Sequence, residues 1–269
     1  MVTRTFMQSS ARLIFFGSLL LIILESGESA YKWPAWVKPC RKSDGPTDEC
    51  VTRRIAEALP NLLNGYPKAH IPKLDPLAIK SLSVSTGNKQ VGLSLTLNDC
   101  LFYGTKITEF YKVHHDFEKK HCDFYWRVPK LTILGQYKMD GKVLLVPIHG
   151  KGDGNITLTD VLSEMGLDYE LVPKKGLHYA RSINSNMTFS VGRAYFDLKN
   201  LFDGDKYLGA QMNAFLNENN ADVIQEFGPA VGDAFNKVFR SIIQIILDLV
   251  ALETIYPDIE IDPNKQHVD

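Results

Sequence analysis

The sequence lacks most of the features that announce a function. It has no charge excess: 30 lysines and arginines against 31 aspartates and glutamates leave a formal net charge of −1. A near-neutral chain has no positive surface to draw a phosphate backbone, so no nucleic-acid partner is expected. Cysteine is scarce, with four in 269 residues, and none stands in a C-x-x-C arrangement. That removes the spacing of structural zinc sites and of thioredoxin-like redox pairs. There is no G-x-S-x-G elbow, no H-E-x-x-H and no Walker-type loop, and so no motif that places a nucleophile, a catalytic metal or a nucleotide. Gly150-Lys-Gly-Asp-Gly154 is glycine-rich, but it lacks the G-x-G-x-x-G spacing and reads as a turn between strands. His114 and His115 are adjacent, so on a strand they face opposite sides and cannot share a metal. The chain reads as a non-enzyme without cofactor or metal. A hydrolase whose groups meet only in three dimensions is the enzymatic alternative.

Long apolar runs are also missing. The run from Leu13 to Leu24 falls short of the roughly 20 residues that a membrane span needs. Arg4 and Arg12 precede it, and Gly27 and Ser29 suit a cleavage site, so residues 1–29 read as a secretory signal peptide. A short N-terminal anchor is the competing reading. The mature chain, 30–269, is then expected outside the cell as a single domain with no stable membrane insertion. An oxidising compartment makes Cys40 and Cys50, with a Pro-, Gly- and Asp-rich stretch between them, a disulfide closing a short loop. Such a loop stabilises by about 2–3 kcal/mol, mainly by restricting the unfolded chain. Cys100 and Cys122 permit a second bridge or two buried thiols. Asn155-Ile-Thr157 and Asn186-Met-Thr188 are glycosylation sequons in such a protein.

What is present is a large apolar fraction, 45%, arranged mostly in strands. Thr47 or Asp48 can cap a short helix through Val51, Ile55, Ala58 and Leu59, which Pro60 and Gly65-Tyr66-Pro67 close. Val91-Gly-Leu-Ser-Leu-Thr-Leu97 alternates strictly, as a half-buried strand should. Ile79–Val84, Thr105–Val113, Tyr125–Tyr137, Lys142–Ile148, Asn155–Leu162, Leu167–Leu171, Leu177–Ile183 and Met187–Leu198 carry similar β-branched and aromatic weight. Asp140-Gly141 supplies a hairpin turn. Strands in series with no intervening helices imply an antiparallel meander. The basic cluster Lys112–His121 is offset by Asp116 and Glu118 and reads as a solvated strand end.

From Asp222 to Leu252 the pattern becomes helical. Phe227, Val231, Phe235, Val238, Ile242, Ile245, Leu249 and Leu252 recur at three- and four-residue steps, and further apolar residues widen the stripe. Gln244 and Asp248 argue against lipid insertion, and Gly228-Pro229 marks a start or a kink. A helix of this length, about 45 Å, cannot stay exposed in water, so the strands should wrap around it.

The ordered set of these segments resembles a known family. It comprises the Cys40…Cys50 pair after a signal peptide, Val128-Pro-Lys-Leu-Thr-Ile-Leu-Gly-Gln-Tyr137 and Gly141-Lys-Val-Leu-Leu-Val-Pro-Ile-His-Gly-Lys-Gly152. Gly209-Ala-Gln-Met-Asn-Ala-Phe-Leu-Asn217 and a long apolar helix ending before Tyr256-Pro257 complete it. Over essentially all of its mature length the chain is similar to the insect takeout and haemolymph juvenile-hormone-binding family, most of all to circadian-clock-controlled, daywake-like members. The resemblance implies an α+β fold, a TULIP-like single BPI-type module with a long C-terminal helix wrapped by a strongly curved antiparallel sheet. It also implies an apolar tunnel for a terpenoid or fatty-acid-like lipid, with a role in daily rhythm or feeding, and it matches Cys40 with Cys50 as the family's disulfide. The tunnel lining is then expected from Phe227, Val231, Phe235, Val238 and Ile242 on the helix and Leu95, Tyr137, Tyr169 and Phe189 on strands, each of which could equally be plain core. Cys100 and Cys122 depart from the family's single-disulfide pattern, and Ser241-Ile-Ile-Gln-Ile-Ile-Leu247 replaces a proline-containing stretch. A secreted interaction protein with a filled core and no ligand is the non-carrier alternative. Oligomeric state is not encoded in readable form.

Overall fold

The computed structural model describes residues 34–87 and 92–262, so the signal-peptide reading and Val91 lie outside it. The spine is one long antiparallel pair, β4 (His121–Val143) and β5 (Val146–Lys174), in register from His121↔Asp168 to Val143↔Val146. The outer edge of β4 is shared by β3 (Glu109–Asp116) along its first half and β2 (Leu93–Tyr103) along its second, with β1 (Leu77–Thr86) beyond β2. The outer edge of β5 is shared by β7 (Arg193–Leu198) and β6 (Leu177–Ser190). The result is a seven-stranded sheet, curled but not closed.

The curl has a visible cause. Along β4 the buried positions are even-numbered up to Val128 and odd-numbered from Ile133, while β5 changes from even to odd between Leu158 and Val161. Both strands slip phase around Pro129 and Asp160, the one rung missing between Val128↔Val161 and Lys130↔Thr159, and the ladder keeps its register while its inner face turns over. Pro129 has no N–H to give the ladder. Asp160 sits at φ +50 with its carboxylate paired to Arg127. The junctions of β3 with β2 and of β6 with β7 fall at the same place. Two half-sheets therefore meet at a joint where one rung of the ladder is missing and the inner face changes over.

The long strands correct three expectations. Asp140-Gly141 is not a turn: it lies inside β4, and the hairpin closes four residues later at Leu144-Leu145. Gly141, at φ +139, faces β2, where an added Cβ would stand 2.1 Å from the Gly92 carbonyl oxygen. Gly150-Lys-Gly-Asp-Gly154 is mid-strand β5, and its glycines admit the backbone of residues 199–201 against the sheet. Thr105–Val113 is a 3-10 turn, Thr105–Ile107, followed by β3.

The helices run α1 (Thr47–Leu62), α2 (Lys206–Glu218), α3 (Asn220–Leu247) and α4 (Leu252–Ile255). The expected C-terminal helix is present, but it starts before Gly228-Pro229 and carries Pro229 inside, and α1 likewise runs through Pro60. The separate helix α2 was not anticipated; Asp205 caps it by accepting from the N–H groups of Tyr207 and Leu208. Helix α3 packs against β1, β6 and β7. Its aromatic face meets the sheet at Phe235 on Phe102, 5.5 Å between ring centroids, and Phe239 on Trp126, 5.7 Å. Cys40 and Cys50 form the expected disulfide at a Cα separation of 5.8 Å. The second bridge is not formed: Cys100 and Cys122 are buried free thiols in separate hydrophobic cores.

If the close approach at Gly141 matters as well as its backbone angle, Gly141→Ala should cost at least about 2–3 kcal/mol in urea denaturation. Gly176→Ala, at φ +77 with open space around it, should cost only about 1 kcal/mol. Equal losses would leave the contact with Gly92 without a role.

Candidate functional site

The interior face of α3 is built from the apolar stripe read in the sequence. Phe227 is buried, whereas Val231, Phe235, Val238 and Ile242 are only half-buried although all pack on the main core. Phe239, Ile243 and Leu247 share that state, as do Leu95 and Phe189 on the facing strands. Tyr137 is fully buried, its hydroxyl donating to the Lys199 carbonyl at 2.6 Å, and burial pushes its pKa up to about 12. The structure thus gathers eight of the nine expected residues around one core.

Tyr169 stands apart, in a second core formed around the disulfide, α1 and α4. There its hydroxyl lies 2.7 Å from Nε2 of His115, and the hydroxyl of Tyr256 lies 2.9 Å from Nδ1. His115 stacks on Phe117 with centroids 4.0 Å apart. Desolvation dominates and lowers the pKa of His115 to about 4, so the ring is neutral, accepting from one tyrosine and donating to the other. Burial raises the pKa of both tyrosines. His114, on the opposite side of the strand, is exposed and bonds Asp48 at 2.7 Å. The expectation of a solvated strand end at residues 112–121 holds at Lys112, His114 and Lys119 but not at His115, which belongs to a polar plug inside the second core.

The helices are fastened to the sheet by side-chain amides that the sequence reading passed over. Asn213 accepts from the Leu198 N–H at 2.9 Å and donates to its carbonyl at 2.9 Å. Asn217 does the same to Phe196, at 2.8 Å each way, and Asn220 accepts from Ala194 at 3.3 Å. Further on, Asn236 donates to the Ser185 carbonyl and Arg240 to that of Ser182, while Gln244 accepts from the Ser182 N–H, each at 2.8 Å. In α4, Glu253 accepts from the His178 N–H and side chain. Ascending helix positions meet descending strand positions, except that Arg240 and Gln244 share Ser182. A four-residue helical step, about 6 Å, nearly matches two residues of strand, about 6.6 Å. The helices act as the next strand on the β6–β7 edge.

The two parts of this seam differ. On the β7 side the amides are bonded, whereas beside β6 the Ser182 and Ser185 hydroxyls and Asn236 Oδ1 are buried without a partner among the described residues. No group of three or more His, Cys, Asp or Glu suited to a metal occurs among those residues, and no described helix is long and apolar enough to cross a membrane. Both sequon asparagines, Asn155 on β5 and Asn186 on β6, are exposed.

A curled antiparallel sheet laid against one long apolar helix is the architecture of a solved insect protein. The crystal structure of Takeout 1 from Epiphyas postvittana superposes with a TM-score of 0.70 and 28% identity, covering 78% of this chain and 96% of that one. The chain belongs to the haemolymph juvenile hormone binding protein family, whose family model matches residues 19–257. It is similar to the circadian clock-controlled protein daywake of Drosophila melanogaster, 26% identical over 79% of this chain and 84% of the relative. The same-named protein of Drosophila yakuba is 24% identical over 88% and 92%.

Two outcomes test this geometry. Asn217→Ala orphans the N–H and carbonyl of Phe196 and should cost about 2–4 kcal/mol in urea denaturation, whereas Ser182→Ala and Ser185→Ala should be neutral or stabilising by up to about 1 kcal/mol. A histidine whose folded pKa lies below its unfolded value leaves the unfolded state binding more protons between pH 4 and 6.5. Stability should therefore fall on acidification through that window, by on the order of 2–3 kcal/mol. His115→Gln, which keeps a donor and an acceptor, should flatten that part of the pH profile.

Proposed function

We propose that this chain is a secreted carrier enclosing one hydrophobic small molecule, a juvenile-hormone-like terpenoid or a fatty-acid-like lipid, in a tunnel between α3 and the sheet. The observation that carries the reading is the half-burial of the α3 stripe. Val231, Phe235, Val238 and Ile242 face the centre of the molecule, yet they keep accessible surface that a close-packed core would remove. Leu95 and Phe189 complete the lining from the strands. Tyr137 bounds the space as a fixed wall, its hydroxyl bonded to the Lys199 carbonyl, whereas Tyr169 lies in the second core and takes no part. Covering about 300 Å² of apolar ligand surface is worth about 7 kcal/mol, enough for micromolar affinity before ordering costs.

Family membership supports the class of ligand, since the family is named for binding a juvenile hormone in haemolymph. The same name, the disulfide and the two exposed sequons support secretion after removal of residues 1–29, leaving 30–269 as one domain. Regulation by the daily clock is part of the proposal and rests on the names of the two Drosophila relatives.

Native mass spectrometry of the glycan-trimmed protein, followed by extraction, should find a stoichiometric isoprenoid or fatty acid. Val238→Trp separates an open interior from a filled one. In an open interior the indole occupies ligand space, so uptake of a hydrophobic fluorescent probe should fall more than tenfold with thermal stability kept. In a filled core the same change should cost about 1–3 kcal/mol by overpacking, with no probe uptake in either form.

A further inference from the structure

We infer that the tip of the β4–β5 hairpin docks onto an anionic lipid surface. The turn is a two-residue loop with both residues in the left-handed region, Leu144 at φ +47 and Leu145 at φ +71. Loops of this kind favour Asn-Gly, because branched apolar side chains are strained there. Leu144 recovers part of its cost inside the fold, packing on the main core and donating its N–H to Glu226 at 3.1 Å. Leu145 recovers none: it is 80% exposed, the most exposed large apolar side chain described. A strained apolar residue held out in water gains its free energy from something outside the chain.

The outer face of the hairpin says what that is. Behind the tip Lys142 stands opposite Pro147, Asp140 opposite His149, and Lys138 opposite Lys151. Two lysines directly across a ladder repel each other. No ion pair neutralises Lys138, Lys142 or Lys151 among the described residues. Asp140 is the one carboxylate on this stretch of the two strands, and the nearby Asp203 faces His149 at 3.6 Å. One leucine ahead of three cations is far too small for a stable protein interface, which needs about 800 Å² from each side. It suits the boundary of a bilayer, where a single apolar side chain enters the headgroup layer and lysines sit over anionic lipids. Lys142 lies about 10 Å from the tip and the Lys138–Lys151 pair about 20 Å, so the hairpin must approach obliquely, outer face down.

The experiment is co-sedimentation of the full secreted protein with vesicles of phosphatidylcholine alone and with about one-third phosphatidylserine. The wild type should bind the mixed vesicles weakly and lose binding at high salt. Leu145→Asn should lower partitioning about tenfold while the melting temperature holds or rises, because asparagine tolerates the turn. Lys142→Gln should lower it about fivefold, and Lys151→Gln by less, on mixed vesicles only. A Leu145→Trp reporter should be quenched by lipids brominated on their acyl chains. Absence of binding by the wild type, equal binding by Leu145→Asn, or a Leu145-dependent dimer in ultracentrifugation would each overturn the inference. Measuring delipidated protein without added cargo keeps the result independent of the carrier reading.

Discussion

Every strand edge that faces no neighbour exposes N–H and carbonyl groups, and a sheet that curls without closing must satisfy them some other way. Here the helices do it. From Asn213 to Glu253 a row of amide, guanidinium and carboxylate groups reaches the backbone of β7 and then β6. The same row fixes which side of α3 is turned inward, because residues four apart share one face of a helix. Once Asn236, Arg240 and Gln244 are committed to the edge, Phe235, Val238 and Ile242 have nowhere to go but the concavity. Polar fastening and apolar lining are two faces of one helix, set by the same periodicity.

The joint at Pro129 and Asp160, where the ladder lacks one rung, is the second constraint. Without it the two longest strands would form one continuous twisted ribbon with a single inner face. With it, the inner face of β4 changes from the even-numbered residues beside β3 to the odd-numbered residues beside β2. Phe110 and Trp126 belong to one half and Phe102 to the other; Phe239 meets Trp126 and Phe235 meets Phe102, so α3 lies across the joint. The helix therefore braces the bend as well as covering it.

The sequence made some of this legible and hid the rest for physical reasons. The alternating run ending at Leu97 and the three- and four-step stripe on α3 were readable because each buries one face against apolar partners. The long strands were not: β5 was read as separate pieces because glycines occupy its inner positions 150, 152 and 154 and contribute no hydrophobic signal. The hairpin was misplaced because Asp140-Gly141 has ideal turn chemistry, while the glycine serves a close contact with Gly92. Helix α2 hid behind asparagines, which weaken helical propensity and announce no amphipathic stripe. His115 looked solvated because its neighbours are charged, and its partners Tyr169 and Tyr256 are distant in sequence. Eight of the nine expected lining residues share a core because periodicity selects a face. Tyr169 fell elsewhere because periodicity says nothing about position along a strand.

A helix standing in for a strand works as a vernier. Its step of about 6 Å falls short of the strand's by roughly half an ångström per rung, so each rung starts slightly behind the last. Short asparagines serve the β7 rungs, and the chain breaks between α2 and α3 at Asn219. Beside β6 the match is lost: the longer Arg240 and Gln244 stand four residues apart on α3 yet reach the same residue, Ser182. Such an edge cannot be extended simply by repeating its asparagines. Lengthening this sheet would require a new helix break or longer side chains every few turns, which ties the length of the concavity to the composition of the helix.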